Sequence, residues 1–238
     1  MKTALSCCDA SCCVGTEHLE NGRLDAKIPQ GTVASVYDKL SGIYDIWGKL
    51  TESRARSRAI ELASITDGEN ILEVAVGTGL AFHEIVKRNP HGNNVGLDLS
   101  KGMLEKAKHR MRKVPGANYR LTIGTAFDLP AASESVDLLI NNYMFDLIPF
   151  ADMDRVLLEF KRVLKAGAKL ILVNMTVGET LGSRLYEFFY RVSPRIMGGC
   201  RGVKLAEKLE QHGFTVETRE TYQQLLFPSE VILARKRA

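Results

Sequence analysis

No stretch of this 238-residue chain approaches the roughly 20 consecutive apolar residues needed to cross a bilayer. Asp9 interrupts the start of the chain too early for the apolar run of a secretory leader, so none is expected. A strong charge imbalance is also missing. The 32 basic and 28 acidic side chains leave +4, too little to argue for nucleic acid as a partner. There are no internal repeats, and nothing marks a second domain. Cysteine is scarce beyond the first 13 residues: of five in total, only Cys200 lies further on. An odd total with one downstream thiol argues against a disulfide framework and suits a reducing, cytoplasmic setting. The apolar share of 45% and charged share of 25% are ordinary globular usage. They exclude a disordered, collagenous or coiled-coil chain. The length suits one domain with a sizeable core.

Residues 1–30 read as a flexible polar tail holding Cys7, Cys8, Cys12 and Cys13. Thiolates suit soft metals and metalloids. This spacing is not the paired C-x-x-C of zinc ribbons and no histidine pair accompanies it, so exposed thiols are the plainer reading and no bound metal is expected. Residues 31–238 read as a single domain. Its first part, 31–66, is a helical cap in which Val33, Val36, Tyr37, Leu40, Ile43, Tyr44 and Trp47 recur at three- and four-residue steps.

Strands and helices then alternate. Strands are expected at Asn70–Val76, Asn94–Leu97, Tyr119–Ile123, Val136–Asn141 and Lys169–Asn174. Helices are expected at Leu80–Arg88, at Lys101–Lys113 behind the N-cap Ser100, and at Met153–Leu164. An aromatic helix within about 181–200 reads as core or as a lid. A helix at Val203–His212 and two closing strands, joined near Pro228-Ser229, complete the pattern. Near-continuous apolar strands alternating with helices imply an α/β fold. The expected form is a Rossmann-like, seven-stranded, mostly parallel sheet, with helices on both faces and an antiparallel C-terminal edge strand.

The densest chemical signal is Ile71-Leu72-Glu73-Val74-Ala75-Val76-Gly77-Thr78-Gly79-Leu80, a strand running through a Gly-x-Gly turn into a helix. Glycines let the backbone approach a ligand closely, and the helix start offers unpaired N–H groups. Asp98 ends the next strand, where an acid meets ribose hydroxyls in such sheets. The full Gly-x-Gly-x-x-Gly of dinucleotide sites is absent, because His83 stands at the third position. Glu73 disfavours a nearby pyrophosphate and suits a cationic ligand. A phosphate-binding Gly-Lys-Ser/Thr is missing as well.

These residues resemble the class I S-adenosylmethionine-dependent methyltransferases. Glu73, Gly77 and Gly79 resemble the family's first motif and Asp98 its ribose-binding acid. Thr125-Ala126-Phe127-Asp128-Leu129-Pro130 resembles its adenine-binding segment, although Thr125 replaces the acid many relatives carry there. Arg162-Val163-Leu164-Lys165-Ala166-Gly167 resembles its helix-to-strand turn. The resemblance runs from about residue 35 to 236. Within the class it is similar to ubiquinone/menaquinone C-methyltransferases and to bacterial phospholipid N-methyltransferases, partly through Tyr37-Asp38 and Tyr44-Asp45. The quinone group's Gly-Leu-Arg-Asn after the fourth strand is Met144-Phe145-Asp146-Leu147 here.

The resemblance implies S-adenosyl-L-methionine as cofactor and a small-molecule or lipid-like acceptor. It implies cofactor contacts from Glu73, Gly77, Thr78, Gly79, Asp98, Leu99 and Met103, then from Thr125, Ala126, Phe127 and Asn141. Tyr37 and Tyr44 either close over the cofactor or pack a helix. Tyr143 and Asp146 are the candidates to touch the acceptor or take its proton.

Two other readings stand beside this one. In the first, Cys200 and the tail cysteines hold a thiol or metalloid acceptor, as in arsenic methyltransferases. In the second, the chain is a non-catalytic binding protein on the same fold. Basic clusters at 101–120 and 184–204 suit peripheral contact with an anionic lipid surface if they flank the lid. Oligomeric state is left open.

Overall fold

The computed structural model describes residues 51–176 and 201–238 except 226, together with residues 19, 20, 23, 24, 35, 38, 48 and 50. The expected lid helix, Tyr37, Tyr44 and all five cysteines lie outside the described residues. Leu19–Glu20 and Arg23–Leu24 form a small antiparallel pair.

Seven strands form one sheet. In chain order the elements are α1 (Ser53–Ala63), β1 (Asn70–Val74), α2 (Leu80–Arg88), β2 (Asn93–Asp98), α3 (Lys101–Met111) and β3 (Tyr119–Ile123). They continue with β4 (Val136–Asn142), α4 (Phe150–Val163), β5 (Leu164–Met175), α5 (Ala206–Gln211), β6 (Phe214–Gln224) and β7 (Phe227–Lys236). The spatial order is β3-β2-β1-β4-β5-β7-β6. The first five strands are mutually parallel. β7 enters antiparallel between β5 and β6, and β6 pairs antiparallel with it at the edge.

The sequence explains the layering. Leu72, Val74, Leu139, Leu170 and Leu172 point to one face and meet α4, Val203 and Leu209. Ile71, Leu138, Ile140, Ile171 and Val173 point to the other and meet α1 and Ile85 of α2. The period-2 alternation of apolar residues on both faces is what a doubly covered sheet needs.

Several boundaries differ from expectation, and β5 begins at Leu164 rather than Lys169. β1 stops at Val74 because Ala75 takes a left-handed backbone, φ +61, and swings the chain into the glycine turn. α4 starts at Phe150, directly after Pro149, whose fixed φ suits a helix start. The helix expected over Val203–His212 shortens to Ala206–Gln211. Pro228 and Ser229 lie inside β7, paired with Gln223 and Tyr222, and the hairpin turns instead near Leu225 (φ +54). Pro228 is the second residue of its strand, where its carbonyl still accepts from Thr176 N–H at 3.0 Å.

Candidate active site

At the carboxyl end of the parallel strands lies an open cleft of about 750 Å³. A polar recess of about 370 Å³ adjoins it and shares Ala75, Gly77, Asn142 and Tyr143 as walls. The strand order reverses between β1 and β4, and such a switch point leaves a crevice where ligands sit in α/β sheets.

The glycine turn and Asp98 are built as one unit. Gly77 (φ +58) donates its N–H to Asp98 Oδ2 at 2.8 Å, and Ser100 N–H donates to Oδ1 at 2.8 Å. A Cβ on Gly77 would meet nothing within 4 Å, because that side is the open cleft. Gly79 is small for another reason: a Cβ there would come within 3.0 Å of Ala107 Cβ. It lets α2 and α3 pack closely and lines neither cavity. Burial raises the Asp98 pKa, against the pull of the Ser100 and Gly77 N–H groups. Asp38, from the cap segment, accepts from the Ser100 hydroxyl and from Gly102 N–H.

Glu73 projects from β1 into the recess and is 1% exposed. Its Oε1 accepts from Asn142 Nδ2 at 3.2 Å, while Oε2 has no hydrogen-bond partner among the described residues. Burial pushes its carboxyl up to about 8, although Asn142 and Arg56 pull it down. Glu52 and Arg56 of the α1 region complete that wall.

The sign of the Glu73 shift gives a testable consequence. The unfolded carboxyl releases its proton near the ordinary 4.5, and the folded one near 8. Between those values the folded chain holds a proton that the unfolded chain has lost, so stability falls as pH rises through the window. Glu73→Gln, neutral and isosteric, is therefore expected to be more stable than the parent at pH 8 by about 4 kcal/mol. The margin should vanish toward pH 4.5. Urea unfolding at several pH values reads this, and parallel profiles for the two proteins would refute the buried-acid account.

Most of the expected site residues meet at the cleft. Gly77, Asp98, Leu99, Met103, Thr125, Ala126, Phe127 and Tyr143 line it, and Thr78 lines the recess. Thr125 Oγ1 accepts from Phe127 N–H at 3.3 Å, and Phe127 lies under the Arg155 guanidinium. Asp128 is exposed and lines neither cavity, so it does not take the place of the acid that Thr125 replaces.

Asn141 also lies off the cleft. Its Nδ2 donates to the Val74 carbonyl at 2.8 Å and ties β4 to β1. Asn142, like Tyr143, lines both cavities. Strand parity carries this signal: Ile140 pairs with Glu73, so Asn142, two residues on, shares the Glu73 face.

The two residues expected to touch the acceptor are arranged differently from each other. Tyr143 (φ +52) lines the cleft, but its hydroxyl is hydrogen-bonded to Ser229 Oγ at 2.7 Å, and burial raises its pKa well above the usual value. Asp146 is fully buried and lines neither cavity. Both its carboxylate oxygens face Met175 N–H at 3.0 Å, and burial raises its pKa well above the usual range. Arg201, itself buried, clamps the same loop, donating to the carbonyls of Phe145, Asp146 and Ile148. The clamp turns Met144, Leu147 and Ile148 toward the cleft.

Residues 71–167 match a methyltransferase domain family. They hold β1 through the start of β5, including the glycine turn, Asp98 and the loop after β4. The chain carries a methyltransferase domain and acts as an S-adenosylmethionine-dependent methyltransferase.

The methyltransferase is 28% identical over 170 residues to a demethylmenaquinone methyltransferase of Thermotoga maritima, covering 69% of this chain and 71% of that one. It is 28% identical over 198 residues to a demethylmenaquinone methyltransferase of a Geobacillus species, covering 80% and 81%. An S-adenosylmethionine-dependent methyltransferase of Thermotoga maritima has the same fold, with a TM-score of 0.65 at 20% identity over 85% of this chain and 99% of that one. The cofactor is S-adenosyl-L-methionine. The site fits it: an elongated cleft runs into a recess where a buried carboxylate oxygen lacks a partner, the environment a cationic amine requires. No helix among the described residues is long and apolar enough to cross a membrane.

Proposed function

We propose that the chain methylates a lipid-like acceptor of the quinone type. One observation carries this reading. Besides Tyr143, whose hydroxyl is held by Ser229, the side chains that the loop after β4 presents to the cleft, Met144, Leu147 and Ile148, are apolar, while its carboxylate, Asp146, is turned away. Such a wall suits a neutral ring with an apolar tail. It offers no carboxylate to the ammonium headgroup of a phospholipid amine, which would be desolvated there at high cost. The names of the relatives agree with a quinone.

Within this reading, Glu73 and Arg56 hold the amine and carboxylate of the methionyl end. Asp98 accepts from the ribose hydroxyls, beside the glycine turn at Gly77. Thr125, Ala126 and Phe127 border the adenine. S-adenosylmethionine supplies a methyl group already activated on a sulfonium. The chain's own work is to align the acceptor within about 3–3.5 Å of that methyl and to keep water out. Tyr143, with its hydroxyl engaged by Ser229, acts as a wall and not as a base. The acceptor's proton therefore leaves without a dedicated carboxylate from this loop.

The test is methyl-labelled cofactor offered with a prenylated demethylated naphthoquinol or with phosphatidylethanolamine, each in detergent. Label in the quinol fraction is expected. Label in the amine lipid and none in the quinol overturns the acceptor assignment.

A further inference from the structure

We infer that the carboxyl end of the sheet rests against a lipid surface, with the cleft opening onto it. This rests on the lipid-like acceptor proposed above but is tested without any acceptor. Five large apolar side chains are exposed among the described residues: Leu50 (55%), Leu99 (44%), Ile123 (61%), Leu158 (57%) and Leu225 (67%). Scattered apolar residues on a surface are ordinary. Four of these five share one end of the molecule.

The topology fixes their place. Ile123 is the last residue of β3, and Leu99 directly follows β2. Both stand at the carboxyl end of the parallel strands. β6 runs antiparallel to β7, which itself runs antiparallel to β5. Hence β6 points the same way as the parallel set, and Leu225, just past it, is at the same end on the opposite edge. Leu50 precedes α1, whose first turn lies there too, because the Ser53 hydroxyl and the Arg54 N–H donate to Gln224 Oε1 beside Leu225. Only Leu158, in the middle of α4, lies elsewhere.

The four therefore reach across the width of a seven-stranded sheet, about 30 Å at the usual strand spacing. The cleft mouth lies between them, and Leu99 lines it. Leu225 adopts a left-handed backbone, where glycine or asparagine is the usual choice, yet it presents a large apolar side chain at a hairpin tip.

Charge agrees with a lipid partner. Arg54 and Lys101 are exposed at this end. Of the acids there, Glu52, Glu73 and Asp98 are buried, and Asp38 is hydrogen-bonded to Ser100 and Gly102. Asp38 and Asp128 are exposed, and Asp152 in the first turn of α4 is half-buried. An apolar rim with basic residues suits the interface of an anionic bilayer. An acceptor dissolved in that bilayer then reaches the cleft without crossing water.

The test uses the full chain and vesicles of mixed phosphatidylcholine and phosphatidylglycerol. Co-sedimentation of the parent protein is expected. The triple variant Leu50→Ser, Ile123→Ser, Leu225→Ser should bind vesicles about tenfold or more weakly, while Leu158→Ser binds as the parent does. None of these four residues lines the cleft, so S-adenosylhomocysteine binding in solution should be unchanged in every variant, and this also reports that each is folded. Three results overturn the inference: a parent that binds S-adenosylhomocysteine but not vesicles, a triple variant that sediments like the parent, or a parent dimer that the triple variant dissociates.

Discussion

Asp98→Ala is expected to bind S-adenosylhomocysteine about a hundredfold to a thousandfold more weakly than the parent. The carboxylate has two tasks. It already accepts from Gly77 and Ser100 N–H groups, and so holds the glycine turn against the start of α3. Asp98 also lines the cleft, where ribose hydroxyls are proposed to donate to it. Hydrogen bonds to a charged acceptor contribute about 1.5–3 kcal/mol each. Losing two such contacts to ligand, or one together with the loop that positions the rest, amounts to about 3–4 kcal/mol, which is the stated range. Asp98→Asn keeps the shape and one acceptor oxygen, and should lose about tenfold. Calorimetric titration separates the three proteins. An Asp98→Ala affinity within threefold of the parent would reduce Asp98 to a strut of the turn.

The largest stability loss is expected at Arg201→Met. Arg201 is 4% exposed. Its guanidinium donates to the carbonyls of Phe145 at 3.3 Å, Asp146 at 2.9 Å and Ile148 at 2.7 Å, and lies 4.2 Å from the centre of the Phe150 ring. Methionine retains much of the stem's packing but leaves these buried carbonyls unmet and removes the cation that faces Asp146. Breaking a buried charged network costs about 3–5 kcal/mol. For a chain of this size that lowers the unfolding midpoint by about 10 °C. Lysine restores the charge without the planar fork and should fall between. Because the clamp also orients Met144, Leu147 and Ile148, the acceptor KM should rise more than the cofactor KM. Urea unfolding that shows a loss below about 1 kcal/mol would make the clamp incidental.

How far the sequence is legible depends on the range of the interaction concerned. The parallel half of the sheet follows from local pattern, since each apolar strand is bounded by a turn residue and each helix has its own period. The glycine turn and Asp98 are equally plain, because strand, turn and acid recur at a fixed spacing. What depends on distant packing does not show. That Asn142 and not Asn141 enters the cleft depends on register with Glu73 across two strands. That Asp146 faces Met175 N–H and not the acceptor depends on the clamp by Arg201, 55 positions further along the chain. Pro228-Ser229 looks like a turn locally but is held in β7 by strands on both sides. Arg56 and Glu52 give no motif at all. They join the recess only because α1 packs across β5 and β7.

The place of β7 between β5 and β6 has a kinetic side. Lys169 pairs with Arg235 and Met175 with Ser229, so one half of the sheet closes only when a segment made late in synthesis threads between an early strand and its own hairpin partner. Pairings so far apart in sequence form slowly, since loop closure precedes any gain. The β1-to-β4 region, with the glycine turn and Asp98, is assembled from neighbours and can form first. The back wall of the cleft, where Tyr143 meets Ser229 and Phe227, comes with β7. A folding chain can thus form the glycine turn and Asp98 floor of the cleft before its Tyr143 wall is backed by Phe227 and Ser229.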